Sequence, residues 1–371
     1  MVRVAFYIDS HGFGHATRSM ALIEALPESW HVLIRSNVPA WLFQKDLKRT
    51  FELFPSPLDI HPRHVTSYRV DIQKTLMAAE RKLSCANDIL ASETDWLRDN
   101  RVDLVLSDIA PLAVQAASNA GIPSSGISNF TWDWIFEPLF NGHPSGFSVV
   151  HKLREMTAQT TLNFRLPFSD PGTFPQGSIE APLLVRPVSM NRQEARQHFG
   201  FDERSTYFLL TFGGIDGPVE KLDRLREFSP VQFIQVSRDA EQIPTHERIL
   251  RRHPEIENFW ILTCSDLYHP DLVLAVDGVL TKPGYGILSE CMATATPLIL
   301  DSRDDFREFT VVRETVSLFP QCAIISNSEM ENLEIGTALE KVLAQPPLPW
   351  QGETRGDKWI AARLVGLLQE K

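Results

Sequence analysis

Cysteine is scarce in this 371-residue chain: Cys85, Cys264, Cys291 and Cys322 stand far apart and form no CxxC pair. Thiols spaced that way, mostly inside apolar segments, suit a reducing compartment and lead us to expect neither a disulfide nor a structural zinc. Long apolar runs are missing as well, and none reaches the ~18 consecutive residues of a membrane span. The first apolar stretch, residues 2–8, runs directly into a glycine-rich turn, as a strand does. A cytoplasmic protein without a transmembrane segment is the expectation. Positive charge is in deficit, with 36 Lys and Arg against 47 Asp and Glu and a formal net charge of −11. Non-specific binding to nucleic acid or to an anionic membrane would work against that field, so no nucleic-acid partner is expected. There is no GxSxG elbow, Walker loop or HExxH helix. His61 and His64 form an HxxH pair without further ligands at metal spacing, which reads as a surface loop and not as a metal site.

What is present is globular composition, 43% hydrophobic and 22% charged, in a chain long enough for two cores of ordinary size. Strand patterns at 2–8, 31–36, 103–107 and 122–127 alternate with helical spacing at 16–26 and 111–120, and 71–98 reads as one long helix or a broken pair. A proline- and glycine-rich stretch follows Arg165, and Asn191 can then cap a helix that carries Glu194 in its first turn and closes at Gly200. Strands resume at 207–212, 232–237, 260–264, 278–280, 297–301 and 322–326, with short helices between them, including 286–294 and 330–344. Strand–helix alternation predicts α/β architecture with a parallel sheet in each half. We place the boundary after residue 186, giving domains 1–186 and 187–353, with a last helix within 354–371 returning to the first domain.

The sharpest feature is the loop Asp9-Ser10-His11-Gly12-Phe13-Gly14-His15-Ala16-Thr17-Arg18 between the first strand and the first helix. Loops at the carboxyl edge of a parallel sheet face the ligand crevice. Gly12 and Gly14 allow a tight turn, and His11 and His15 are its only bases that titrate near neutral pH. Gly12-Phe13-Gly14 also begins a dinucleotide fingerprint, but Thr17 replaces the third glycine, and only Arg35 at the end of the second strand is left to meet a 2′-phosphate. Asp108 ends the third strand candidate, where it either orients an imidazole or caps the helix beginning at Pro111. Asn129, Trp132 and Asp133 follow the fourth, where the indoles of Trp132 and Trp134 either stack on a sugar or fill the core. In the second half, Gly213-Gly214 and Lys282-Pro283-Gly284-Tyr285-Gly286 each lead from a strand into a glycine-rich turn whose N–H groups can hold a diphosphate. Glu290 lies four residues past Gly286, able to accept from vicinal hydroxyls or to act only as a first-turn helix charge.

These motifs resemble, in order, the two-domain glycosyltransferases of the GT-B fold, and more closely the glycosyltransferase-like N-terminal region of arabinokinases. The resemblance spans nearly the whole chain. It implies two Rossmann-like domains facing across a cleft, with a small-molecule acceptor on the first and a nucleotide sugar, UDP-, GDP- or dTDP-linked, on the second. By position it makes His15 the general base, Asp108 its orienting carboxylate and Glu290 the ribose-binding acid. It makes Gly213, Gly214, Lys282, Gly284, Tyr285, Gly286, Arg303, Asp304 and Asp305 donor contacts, and His11, Gly12, Phe13, Gly14, Arg18, Asn129, Trp132 and Asp133 the acceptor side. Lys282 stands where many retaining members carry a glutamate, which favours inverting transfer without a required metal or other cofactor. The kinase activity of the arabinokinase fusion is not expected of these residues. A nucleotide-sugar 2-epimerase, or a non-catalytic nucleotide-binding sensor or scaffold, remains an alternative on the same fold, and a homodimer is left open.

Overall fold

The computed structural model describes residues 1–65, 70–212, 221–237, 248–264, 266–304, 306–344 and 346–369. The chain divides into two compact units. The first comprises Met1–Val185, Asp305–Val311 and Gly352–Lys371, and the second Arg186–Asp304 and Val312–Gln351. No helix among the described residues is long and apolar enough to cross a membrane.

In the first unit the described residues form a seven-stranded parallel sheet from β1 (Arg3–Ile8), β2 (His31–Arg35), β3 (Phe51–Phe54), β4 (Leu104–Asp108), β5 (Ser124–Ser128), β6 (Leu162–Arg165) and β7 (Ile179–Glu180). The spatial order is β3-β2-β1-β4-β5-β6-β7. β1 and β4 are buried on both faces, as strands covered by helices must be; β1 is correspondingly an almost continuous apolar run, whereas β4 ends in the buried polar pair Ser107 and Asp108. β3, β6 and β7 escaped the pattern reading because they are four, four and two residues long and lie half-exposed toward the sheet margins. The 71–98 stretch is a broken pair, helices Ile72–Ser84 and Ala86–Asp99, interrupted at Cys85. The last helix, Gly356–Gln369, belongs to this unit: Gly356 N–H donates to the Leu183 carbonyl at 3.1 Å, and Ile360 and Leu364 are fully buried.

In the second unit the described strands are β8 (Tyr207–Thr211), β9 (Gln232–Val236), β10 (Arg248–Arg252), β11 (Phe259–Cys264), β12 (Gly278–Thr281), β13 (Leu298–Asp301) and β14 (Cys322–Ile325), in the order β10-β11-β9-β8-β12-β13-β14. β10 pairs antiparallel with β11; the other described pairings are parallel. β10 had no sequence signal because three of its five residues are arginine, on an exposed edge. The helix expected at 330–344 is two, Asn327–Glu331 and Gly336–Ala344. The Asn191 and Glu194 side chains and backbones cap one another reciprocally, and Gly200 closes that helix in the left-handed conformation. Gly278 is required by packing: a Cβ there would lie 2.3 Å from the Phe208 ring.

Both sheets reverse their strand order near the middle, between β1 and β4 in the first and between β8 and β12 in the second. Ligands of open parallel sheets bind outside the carboxyl ends at such a point. The loops after β1 and β4, and those after β8 and β12, are therefore the places to look for a site.

One buried pair next to the first of these points is structural. Arg35 donates to both carboxylate oxygens of Glu93 at 2.9 and 2.5 Å and to the Pro55 carbonyl at 2.6 Å, lies 4.4 Å over the Trp96 ring, and Tyr7 Oη donates to the same carboxylate at 2.6 Å. Arg35 is thus consumed inside the first unit, which removes the reading in which it meets a dinucleotide 2′-phosphate. Glu93→Ala would strand that guanidinium and is expected to cost about 3–5 kcal/mol in urea unfolding, with Glu93→Gln milder.

Candidate active site

Gly12 caps the helix Phe13–Ala25 with φ 81°, a left-handed value that favours glycine, and no side chain closes the helix end. The helix therefore starts earlier than expected: Gly14 and His15 sit in its first turn and not in the loop. That placement turns His15 toward β4. Its Nδ1 lies 3.1 and 3.2 Å from the two oxygens of Asp108, the last residue of that strand. Asp108 does not cap the following helix, whose cap residue is Ala110. Its side chain is instead shared. Arg18, one turn after His15, donates to Oδ2 through Nε at 3.1 Å and to Oδ1 through Nη2, and Ser19 Oγ adds a bond at 3.3 Å.

Burial by itself would raise the Asp108 pKa, but the charge of Arg18, then His15, outweighs it and holds the carboxyl below its ordinary value. Arg18 Nη2 is also 2.9 Å from His15 Nδ1, so that nitrogen either donates to Asp108 or accepts from Arg18, according to tautomer. Among the described residues nothing hydrogen-bonds His15 Nε2. Arg18 reaches on to Asn129 Oδ1 at 2.6 Å, and Asn129 Nδ2 donates to Glu308 at 2.7 Å, within the segment that joins the first unit. Glu308 carried no sequence signal, being a lone acid in an unremarked helix start.

The indoles following β5 are core. Trp132 and Trp134 are 1% and 6% exposed, so of the two uses that the sequence left open these indoles take core packing. Trp132 Nε1 donates to Asp9 Oδ2 at 3.0 Å, and Asp9 Oδ1 accepts from the His11 N–H at 2.7 Å, tying the loop to the core. Asp133 is buried and held by Arg154 Nε at 3.1 Å; burial pushes its carboxyl upward. Phe13 packs edge-on to Trp41. The structure also gathers what the HxxH spacing did not advertise: the His11 ring lies 5.4 Å from that of His61 and stacks 5.0 Å from that of His64. Even so, no group of three or more potential metal ligands converges among the described residues.

Gly213 and Gly214, in the second unit, and Asp305, in the first, lie outside the described residues. Lys282 follows β12, and the next helix, Tyr285–Thr294, begins after Gly284 with neither a capping side chain nor an acid in its first turn. No described side chain caps that helix start, and a Cβ at Gly284 would meet nothing within 4 Å; Tyr285 is buried and Gly286 half-buried in the first turn. Burial first, and the Arg303 charge second, lower the Lys282 pKa to about 8 against the pull of Asp301. Arg303 is buried, whereas Asp304 is exposed and paired with Arg313. Glu290 lies beyond the first helical turn, so it is not a helix-end charge. Its oxygens accept from His269 Nδ1 at 2.6 Å and Arg186 Nη2 at 2.9 Å. Burial would raise its pKa, but His269 and Arg186 bring it down to about 2.

Over its full length this arrangement is similar to solved glycosyltransferases. The calicheamicin glycosyltransferase CalG4 superposes with a TM-score of 0.60 at 15% identity, covering 100% of this chain and 98% of that one. Phytolacca americana UGT2, complexed with UDP-2-fluoro-glucose and pterostilbene, gives 0.61 at 13% identity, over 99% and 94%. Acinetobacter baumannii MurG gives 0.54 at 14% identity, over 100% of both chains. The chain has the GT-B fold. Within this GT-B chain, 328 residues are 29% identical to the L-arabinokinase of Arabidopsis thaliana, which is 86% of this chain but only 30% of that protein's length. No protein-family model matches.

The Glu290 cluster sets a pH test for this GT-B chain. Because the folded pKa is depressed, its stabilisation is complete above about pH 4.5 and is lost as pH falls toward about 2. Glu290→Gln is expected to be about 3 kcal/mol less stable than wild type at pH 7. In urea titrations that difference should shrink steadily from pH 5 to pH 3; a constant gap would remove the ion pair as its cause.

Proposed function

We propose that the protein is a nucleotide-sugar-dependent glycosyltransferase acting on a small-molecule acceptor, by inverting transfer and without a required metal. The observation that carries this reading is the His15–Asp108 pair at the strand-order reversal of the first sheet, with no described residue hydrogen-bonded to His15 Nε2. An acceptor hydroxyl would give its proton to Nε2 while its oxygen forms a bond to the anomeric carbon. The bond from that carbon to the diphosphate oxygen breaks, and the electron pair leaves on the diphosphate. Asp108 keeps Nδ1 protonated and stabilises the imidazolium as it forms. Arg18 keeps Asp108 ionised for that task.

The second unit would bind the donor. An uncapped helix N-terminus and the Lys282 ammonium put positive charge where a leaving diphosphate develops negative charge, the role a metal fills elsewhere. Glu290 would accept from the donor ribose; each of its oxygens retains a lone pair beyond the bonds to His269 and Arg186. The UDP-sugar complex of the Phytolacca neighbour and the glycosyltransferase name of CalG4 support this donor class. Gly213, Gly214, Arg303, Asp304 and Asp305 keep their proposed donor-side roles, and a cytoplasmic location with domains meeting near residue 186 is part of the same proposal.

His15→Ala is expected to lower transfer about 10²- to 10⁴-fold while leaving UDP affinity unchanged by calorimetry. Full activity in that variant would end the base assignment. Donor consumed without acceptor would identify an epimerase, and binding without turnover a scaffold. Lys282 adds a pH signature. Anion binding favours the charged amine, so between pH 8 and 9 UDP affinity should fall by up to about tenfold as the amine of the free protein, with its pKa near 8, loses its proton. Lys282→Arg cannot deprotonate, and its affinity should stay flat over that range.

A further inference from the structure

A cavity of about 310 Å³ lies in the first unit at the carboxyl ends of β1, β2 and β3. Ser10, Asn37, Asp59, His61, Arg63 and Lys82 line it, and its apolar wall is limited to Ile60, Ala78 and Ala79. Its size is that of a small-molecule site, but its lining is not that of a site for an aromatic or aliphatic ligand, which would be walled mostly by apolar side chains. The loop that contributes Ser10 continues through Gly12 into the helix that carries His15, so cavity and proposed base are five residues apart along the chain.

From this we infer that the cavity holds the acceptor, and that the acceptor is a small anionic polyol, a hydroxyl-rich molecule bearing one carboxylate or phosphate. The inference rests on the transferase reading given above. The hydroxyl-binding groups are already positioned. Asp59 Oδ2 accepts from Ser10 Oγ at 2.5 Å and from Asn37 Nδ2 at 3.0 Å. Asn37 is fixed in turn by the Ser56 backbone, its Nδ2 donating at 2.6 Å and its Oδ1 accepting at 3.2 Å. Among the described residues Asp59 Oδ1 has no hydrogen-bond donor, so it can accept from a ligand hydroxyl. Burial, with Asp9 nearby, pushes the Asp59 carboxyl upward, which marks this part of the cavity as unfavourable to a further anion.

The anionic group has its own partners. Lys82 Nζ donates to the Pro57 carbonyl, which leaves two of its three protons to spend. The Arg63 guanidinium is exposed and forms no hydrogen bond or ion pair with a described residue, so its fork is available to a carboxylate or phosphate. Two cations converging on one small cavity stand out in a chain whose formal charge is −11.

Calorimetry on the full chain tests this without knowledge of the donor. The probes are glucose 6-phosphate and gluconate as anionic polyols, glucose as the neutral polyol and p-nitrophenol as the aromatic alternative. At least one anionic polyol should bind, at least tenfold more tightly than glucose or p-nitrophenol, and the two anions between them distinguish phosphate from carboxylate. Arg63→Ala and Asp59→Asn should each weaken that binding tenfold or more with UDP affinity unchanged, and Lys82→Met offers a third variant should one of them misfold. Tighter binding of p-nitrophenol, no binding of either anion, or binding indifferent to Arg63 and Asp59 would each overturn the inference. UDP separates the two levels: UDP binding without anion binding sinks this inference alone, whereas anion binding without UDP binding sinks the donor reading.

Discussion

The buried carboxylate of Asp108 is the constraint around which the first unit is arranged. A charge at the end of a fully buried central strand is costly unless it is paired, and the strand's own neighbours offer no cation. The helix Phe13–Ala25 supplies what is needed, placing Arg18, Ser19 and His15 on one face against the same two oxygens. For that face to turn toward β4 the chain must leave β1 and enter the helix almost at once, and the left-handed backbone at Gly12 permits this. Asp9 then fastens the loop from the other side through Trp132 and the His11 N–H. The position of the open imidazole nitrogen is therefore a consequence of neutralising one carboxylate.

The second unit solves a similar problem with the opposite result for its cation. Glu290 is as deeply buried as Asp108 and is likewise satisfied by two basic side chains from elsewhere in the unit. Lys282 is left half-buried, and burial first and the Arg303 charge second lower its pKa. A protein carries such a site at a cost in stability, which an anionic ligand can offset by binding only the folded state. The first unit thus presents a paired acid against His15, and the second a paired acid at Glu290 and, separately, a lysine with a lowered pKa. In the proposed transfer, His15 would remove the proton and Lys282 would stabilise the charge that develops on the diphosphate.

The α/β class, most strands, the Asn191 cap and the glycine-marked end of β12 were legible in the sequence. Each is set by interactions over a few residues: alternation, helical spacing, a capping side chain, a glycine where the backbone must turn. What escaped had weak local signals. β3, β6 and β7 are short, and β10 is charged and lies at an edge, so neighbouring strands define them more than their own residues do. The two indoles after β5 could equally have served surface or core until the helix Trp132–Leu139 was seen to bury them.

By itself, then, the sequence determined which residue types stand at the ends of which strands, and so the candidates His15, Asp108, Lys282 and Glu290. Only the tertiary structure decided what each side chain meets. It gave Arg18 to Asp108, Arg35 to Glu93, His269 and Arg186 to Glu290, and brought Asp59, Arg63 and Lys82 to one cavity. Apart from the contacts of the second unit's short turns, these partners come from separate elements, 90 residues apart for Arg18 and Asp108. Such pairings follow from strand order and helix docking, which residue spacing along the chain does not encode.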